Sequence, residues 1–484
     1  MCEAGLREKS DGASARANLA LMFAAIDYDL FTVRRVVAPE ALHLDAPNTK
    51  LTSVTTSSLE VKAGSLFVPL VDRRDGHEFI ADAVARGAAA FFLKRNHSVA
   101  KKLPQQLLSK AIVVSDPLKA LGDLAHFHRS RFTPFVVAVT GSNGKTTTKE
   151  MLAQMFKAAL GKGLISTEKN YNNHIGVPFT LLRIGRATRV AVVEMGMNHA
   201  GEIAYLSRLA EPHAAVISSI GHAHIEFLGS RRAIAAAKAE ILEGMQKKGG
   251  FLYLPKSVAE ADVLAAAAKR AGAKVKKVEA SRTSRLKILH VSPKGFLLQL
   301  GKVQTQFRHA NAAWLSNLAL ATEVALDAGI ETQKIARAIS LFRPAAGRMQ
   351  LRRGRLTVID DGYNANPDSA IASIDSAMLI SGKNPVVCVF GEFKELGKHS
   401  KSLHSLTGHE AALKGVSAFY AMGEDMRHAV HAFKKASAGR DSAWFDRTDT
   451  AGLAKALQKY PRGTVVLVKG SRSMKMEEIV DLLV

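Results

Sequence analysis

Residues 135–151 read FVVAVTGSNGKTTTKEM, an apolar β-branched run that stops at a turn of small residues and resumes as a helix opening on Lys-Thr-Thr. Strand, glycine turn and helix N-terminus in that order make a cradle for nucleotide phosphates. Gly141 and Gly144 let backbone N–H groups approach an anion closely, Ser142 and Asn143 lie between them, and Lys145 reaches the phosphate charge. Thr146 and Thr147 bring hydroxyls to the helix start, and Thr146 is the expected Mg²⁺ contact, so ATP is the first ligand expected. The strict phosphate-loop pattern asks for another glycine five residues before Gly144, where this chain has Val139.

The surrounding text continues the same alternation. RVAVVEM and AAVISSI read as buried strands, and helices are expected through Leu160 and from Arg231 to Met245. Such runs between helices imply a parallel sheet covered on both faces, whose ligands sit beyond the carboxyl ends of the strands. Glu194 closes one strand and Ser219 to His224 follow another, so both should face the phosphate loop. Upstream, 51–94 reads strand, loop, helix, strand, and a helix ends before Pro134. Downstream come helices through Asn311 to Gly329 and Lys334 to Leu341, then FRPAAGRMQLRRG, a Pro/Gly hinge. LTVID, VVCVF, VSAFYAM and TVVLVKG are the strands of a last, doubly wound unit. The expected organisation is a tail at 1–21, with Met22 an alternative start, then an N-terminal α/β domain at 22–133, a central phosphate-loop domain at 134–343, and a C-terminal Rossmann-like domain at 344–484.

Bulk composition narrows the class. At 484 residues and 47% apolar content, the chain suits two to four globular domains. Cys2 and Cys388 are its only cysteines, and Cys388 lies inside PVVCVF, so a disulfide framework is excluded and a reduced, cytoplasmic setting is expected. No run is long and apolar enough for membrane insertion, and the first residues lack a secretory h-region. The net charge of +24 could draw a polyanion, yet the cations are scattered and only 6% of residues are aromatic, so nucleic acid is not the expected partner.

Several residues carry chemistry together. Glu194, His224 and Lys238 follow the phosphate loop in chain order, and a carboxylate and an imidazole at two strand ends could hold Mg²⁺ with Thr146. Asp361 can accept from a ribose hydroxyl, while Tyr363, Asn364 and Asn366 offer neutral donors and acceptors suited to a dipeptide. Arg348, in the hinge, has the planar fork that binds phosphate in a fixed orientation.

The loop TGSNGKTT resembles that of the Mur ligases and folate polyglutamate ligases, ATP-dependent enzymes that join a carboxylate to an amine. VIDDGYNANPDS at 358–369 resembles a signature of the Mur branch that adds D-alanyl-D-alanine to UDP-N-acetylmuramoyl-tripeptide, whereas the diaminopimelate-adding branch shows a histidine motif at this strand end. The likeness covers most of the chain and takes in VFGEFKELGKHSKSLH, with Glu392 where the family has Asp, and LVKGSRSMKMEEIV.

It implies a three-domain, monomeric ligase working through an acyl phosphate, with Lys145, His224 and Lys238 in the reaction and two Mg²⁺ sites. Thr146, Glu194, His224 and Lys238 are the implied ligands, Lys238 as a carbamate formed with CO₂. Asn317 and Arg348 would touch nucleotide, and Asn172, Asn173, Tyr363, Asn364 and Asn366 substrate. The chain also departs from the family: Ser57, Ser58 and Leu59 replace Asp-Ser-Arg of the uridine-binding domain, AWLSN at 313–317 replaces a His-Asn start, and Pro255 stands where Asn is usual. Trp314 is either a stacking surface or core. Two rival readings are a related amide ligase for diaminopimelate or glutamate, and a non-catalytic nucleotide- or nucleic-acid-binding ATPase.

Overall fold

A computed structural model describes residues 23–38, 48–245 and 249–484, so the expected tail, the alternative start at Met22 and Cys2 lie outside the described residues. The chain divides into two compact units. One comprises Met1–Ala138, Lys162–Gly196 and Ala204–His213, the other Val139–Gly161, Met197–Ile203 and Ala214–Val484.

The first unit holds a five-stranded sheet in the order Phe23–Asp29, Lys50–Thr55, Ser65–Phe67, Ala88–Lys94, Ala111–Val114. Its first pair is antiparallel and the others are parallel. Phe67, Phe91, Leu93 and Ile80 form a core under one face. The helix Pro117–Ser130 starts at Asp116, whose side chain accepts from Leu118 N, and proline fills its first turn, where no N–H is needed. Near its end, His128 accepts from the Tyr28 hydroxyl at 2.8 Å and donates to Ile184 O at 2.7 Å, a neutral tautomer consistent with burial lowering its pKa. Arg129, buried as well, donates to the carbonyls of Ala210 and Glu211. The same unit carries the parallel pair Leu164–Ser166 and Val190–Glu194, the latter ending on Glu194.

In the second unit, the helix Lys145–Leu160 packs against Ala312–Asp327 and Thr332–Leu341. Three parallel strands, Ala214–Ile217, Phe251–Pro255 and Lys274–Val278, lead into an antiparallel meander of Leu286–Ser292, Gly295–Leu300 and Val303–Phe307. Trp314 is core: it packs edge-on against His309 and Phe342 and is 7% exposed.

The C-terminal sheet runs Gln350–Arg353, Thr357–Asp360, Val465–Lys469, Val386–Gly391, Ala418–Met422, Asp441–Phe445. Only the first pair is antiparallel. Its inner strands are buried on both faces, which explains their unbroken apolar text. Val387 and Val389 meet Leu453, Leu457 and Val480 on one side, while Cys388, also buried, points to the other. The last strand in sequence inserts between Thr357–Asp360 and Val386–Gly391, parallel to both, so the strand order switches there. Ligands of open α/β sheets bind beyond strand ends at such a switch, and here those ends carry Asp361, Glu392 and Ser471. No helix among the described residues is long and apolar enough to cross a membrane.

Candidate active site

The phosphate loop is braced from behind by the segment after Ala214–Ile217. Ser142 N donates to Ser219 O at 2.9 Å, Asn143 N to Ser219 Oγ at 2.8 Å, and Gly221 N to Ser142 Oγ at 2.9 Å. Gly141 has φ +151°, and a Cβ there would sit 2.1 Å from Ser218 Oγ. Gly144 has φ +82°, and a Cβ would meet Asn317 Oδ1 at 2.6 Å. Both glycines are thus demanded by backbone and space. They also set Asn317, an expected nucleotide contact, directly against the loop. Lys145 Nζ donates to Gly141 O at 2.8 Å, which curls the lysine over the turn.

Lys238 is 1% exposed on the helix Arg231–Ala239. Burial, and then the charge of Lys145, push its pKa well below the ordinary lysine value. Only a neutral amine has the lone pair that attacks the carbon of CO₂, so the environment suits the carbamate implied by the family resemblance. His224 occupies the left-handed region at φ 64°, and its Nδ1 lies 2.7 Å from Glu395 Oε2. His224 holds Glu395's carboxyl below its usual pKa, and Lys145 adds to the effect. A carboxylate on one nitrogen orients the imidazole and leaves Nε2 for a metal.

The C-terminal part reaches this loop and the segment that braces it at four points. Arg348 Nη2 donates to Thr146 Oγ1 at 3.2 Å, with its guanidinium 4.5 Å from the Tyr363 ring centre. Asn143 and Asn366 exchange amide hydrogen bonds at 3.2 and 2.7 Å. Asp368 accepts from His222 N at 2.6 Å and pairs with its Nδ1 at 3.0 Å. Burial opposes ionisation of Asp368, but the His222 contacts outweigh it and hold its pKa low. Glu395 on His224 is the fourth.

Two residues expected at ligand have partners within the protein. Asp361 accepts from Lys469 Nζ at 2.5 Å, Ser373 Oγ at 2.7 Å and Met349 N at 3.2 Å, and it is 8% exposed, so it braces the turn from within. Asn366 caps the helix Pro367–Ser381 through Ser369 N and pairs with Asn143, which commits its amide within the protein. Tyr363 stacks on Arg348, and Asn364 remains exposed.

In the first unit, Asn172 Nδ2 donates to Glu194 Oε1 at 2.8 Å, and Thr167 Oγ1 accepts from Glu194 N. Asn173, expected at substrate, caps the helix Gly176–Leu182 by accepting from Ile175 N and Gly176 N. The DGHEF segment supplies a compact trio in which Asp75 accepts from His77 Nδ1 at 2.7 Å and His97 Nε2 at 2.9 Å. The other ring nitrogens accept from Lys94 N and Val99 N, so neither neutral imidazole has a lone pair for a metal. Burial lowers the pKa of His77.

Sequence reasoning missed Lys469, Asp368 and Ser218 as functional supports. Each lies inside or beside a quoted motif, but its partner is distant in the chain: Lys469 and Asp361 are 108 residues apart.

Comparison with known proteins follows the same outline. Residues 139–325 match the Mur ligase middle domain, and residues 347–472 match the Mur ligase glutamate ligase domain. A Haemophilus influenzae protein named UDP-N-acetylmuramoyl-tripeptide--D-alanyl-D-alanine ligase is 31% identical over 468 residues, covering 93% of this chain and 97% of that one. The crystal structure of MurF from Acinetobacter baumannii superposes with a TM-score of 0.81 at 26% identity, covering 95% and 99% of the two chains. MurF from Thermotoga maritima, solved in complex with ADP, shares the fold with a TM-score of 0.76 at 24% identity, covering 89% and 96%.

Proposed function

The chain belongs to the Mur ligase family, and from that premise we propose that it joins D-alanyl-D-alanine to UDP-N-acetylmuramoyl-tripeptide with ATP, making the pentapeptide precursor of peptidoglycan in the cytoplasm. Residues 22–133 take the UDP end, 134–343 the ATP, and 344–484 the incoming amine. No described helix or strand crosses either boundary.

A carboxylate does not accept an amine at neutral pH, because its oxygen leaves too poorly. The tripeptide's terminal carboxylate oxygen therefore attacks the γ-phosphorus of ATP in line, and the bond to the β-phosphate oxygen breaks to release ADP. Lys145 offsets the repulsion between the two anions. The amine of D-alanyl-D-alanine then adds to the acyl phosphate carbon. The tetrahedral adduct collapses by expelling phosphate, the nitrogen loses a proton, and the amide remains. Exclusion of water protects the acyl phosphate, which suits a site covered from the C-terminal side by Arg348 and the Tyr363 turn.

Mg²⁺ fits donors of the second unit: the Thr146 hydroxyl, His224 placed against Glu395, and Lys238, whose lowered pKa favours carbamylation. When bound, it supplies charge that stabilises the transferring phosphoryl group.

The observation that carries the reading is the Arg348 to Thr146 bond, which brings a phosphate-binding cation to the loop hydroxyl from 202 residues downstream. The test is phosphate release with ATP and D-alanyl-D-alanine, diaminopimelate or glutamate, each beside its matching UDP-linked acceptor. Turnover with D-alanyl-D-alanine alone is expected, and turnover driven by another amine overturns the assignment.

A further inference from the structure

Asn143 lies between the two glycines of the phosphate loop, and its backbone is immobilised. Its N–H donates to Ser219 Oγ at 2.8 Å, and its carbonyl accepts from Ser218 Oγ at 2.5 Å and Ser219 Oγ at 3.0 Å. Only the side chain is left to report the state of the loop. That side chain meets Asn366, 223 residues later, in a pair where each amide donates to the other, at 3.2 and 2.7 Å. The orientation is settled locally. Asn366 Oδ1 accepts from Ser369 N at 3.0 Å as cap of the helix Pro367–Ser381, so its Nδ2 must face Asn143 and requires Oδ1 there. Ser369 Oγ in turn accepts from Asn366 N at 3.1 Å, which locks the cap from the other side.

Asn366 therefore does two things with one group. It starts the helix behind the Tyr363–Asn364 turn, and it matches that helix to the middle of the phosphate loop. A neutral pair exchanging both hydrogen bonds has one geometry and loses both when the elements slip, which makes it a register device. Ion pairs tolerate a wider range of approach, since charge attraction falls off slowly with distance.

We propose that Asn143 and Asn366 are positioning residues. Their amide pair sets the register in which the amine-receiving turn meets the phosphate loop, so that Arg348 and Tyr363 arrive together over Thr146. This rests on the ligase reading above. It removes Asn366 from the dipeptide contacts and gives it a task in aligning the second half-reaction. Nucleotide binding does not depend on the pair, because the loop cradles phosphate with backbone N–H groups.

The experiment is a double-mutant cycle on the full chain. Asn366→Ser keeps a competent helix cap and removes the amide pair. Asn143→Ala removes the same pair from the other side without touching a cap. Each is expected to lower kcat for dipeptide-dependent phosphate release about tenfold, with the KM for ATP unchanged. The double variant should lose no more than either single one. Effects that multiply to about a hundredfold, or an Asn143→Ala enzyme with wild-type kcat, would overturn the proposal. A rise in the KM for ATP alone would also overturn it, as it would mark a nucleotide contact. A wild-type protein with no dipeptide-dependent release would instead defeat the ligase reading, before any variant is compared.

Discussion

Lys469 Nζ lies 2.5 Å from Asp361 Oδ2, and the two side chains are only 4% and 11% exposed. The lysine also donates to Asn364 O at 3.1 Å, so one buried cation ties the end of its own strand to the turn that carries Tyr363 and Asn364. Removing one member of such a pair leaves a charge stranded away from water.

Lys469→Met is therefore expected to cost about 3 kcal/mol in urea unfolding of the second unit. Adding Asp361→Asn to it should recover part of the loss, since the stranded charge is gone. A cost below about 1 kcal/mol for Lys469→Met would show that the pair is not holding the turn.

The phosphate loop makes a second prediction. Gly144→Ala places a methyl 2.6 Å from Asn317 Oδ1 at φ +82°, so it faces both collision and backbone strain. Affinity for an ATP analogue, measured by calorimetry, should fall at least about tenfold, equivalent to the ~1–3 kcal/mol of a strained residue. Gly185→Ala, where a Cβ meets nothing within 4 Å, is the control and should leave affinity unchanged. Equal affinities for wild type and Gly144→Ala would contradict the account of the cradle.

Lys238 offers a third. Its folded-state pKa lies well below the ordinary lysine value, so between those two values the unfolded chain binds a proton that the folded chain does not. The lysine thus opposes folding at neutral pH, and the penalty vanishes as pH rises through the unfolded value. Without CO₂, Lys238→Met should melt a few degrees higher than wild type at pH 7, while ligase activity is lost. With ¹³C-labelled bicarbonate, wild type should show a carbamate carbon by NMR that Lys238→Met lacks. A carbamate signal of equal strength in both proteins would place the modification elsewhere.

Acid should weaken the first unit. His77 and His128 have pKa values pushed down chiefly by burial. Asp75 is also held low: burial opposes this, but its hydrogen bonds with His77 prevail. Stability from the histidines is full above the ordinary value of about 6.5 and is lost as pH falls below it. Asp75 adds a loss at still lower pH, as it is protonated. Thermal melts should therefore show a lower midpoint for this unit at pH 5.5 than at pH 7.5, and a flat profile would contradict the neutral tautomers assigned to these rings.

Much of this was legible in the chain. The strand, turn and helix at 135–160 announced themselves through the switch from β-branched residues to Gly and then Lys-Thr-Thr, and the helix runs Lys145–Leu160 as expected. The inner C-terminal strands were readable because burial on both faces leaves continuous apolar text. The meander at 286–307 was not, since its outward face carries Leu289, Val291 and Leu297, all exposed, which blurs the period of two. The edge strand Gln350–Arg353 was hidden for the opposite reason, having almost no buried side chain.

Site residues followed a similar rule. Lys145, Asn317 and Arg348 lie in local motifs that name their own chemistry, and the structure sets them around one loop. Asp361 and Asn366 also looked like ligand contacts, yet their groups are used by Lys469 and Asn143, partners 108 and 223 residues away that no local pattern announces. Asn173 Oδ1 likewise accepts from Gly176 N at a helix start, a use of Asn that no local pattern separates from ligand binding.

The central claim is that ATP activates the acceptor by phosphorylating its carboxylate, and an isotope tests it directly. The measurement uses UDP-N-acetylmuramoyl-tripeptide labelled with ¹⁸O in its terminal carboxylate, with ATP and D-alanyl-D-alanine, and reads the mass of the released phosphate. One labelled oxygen in each phosphate, matched to pentapeptide formed and absent with Lys145→Ala, is the predicted result. Pentapeptide accompanied by unlabelled phosphate would contradict it.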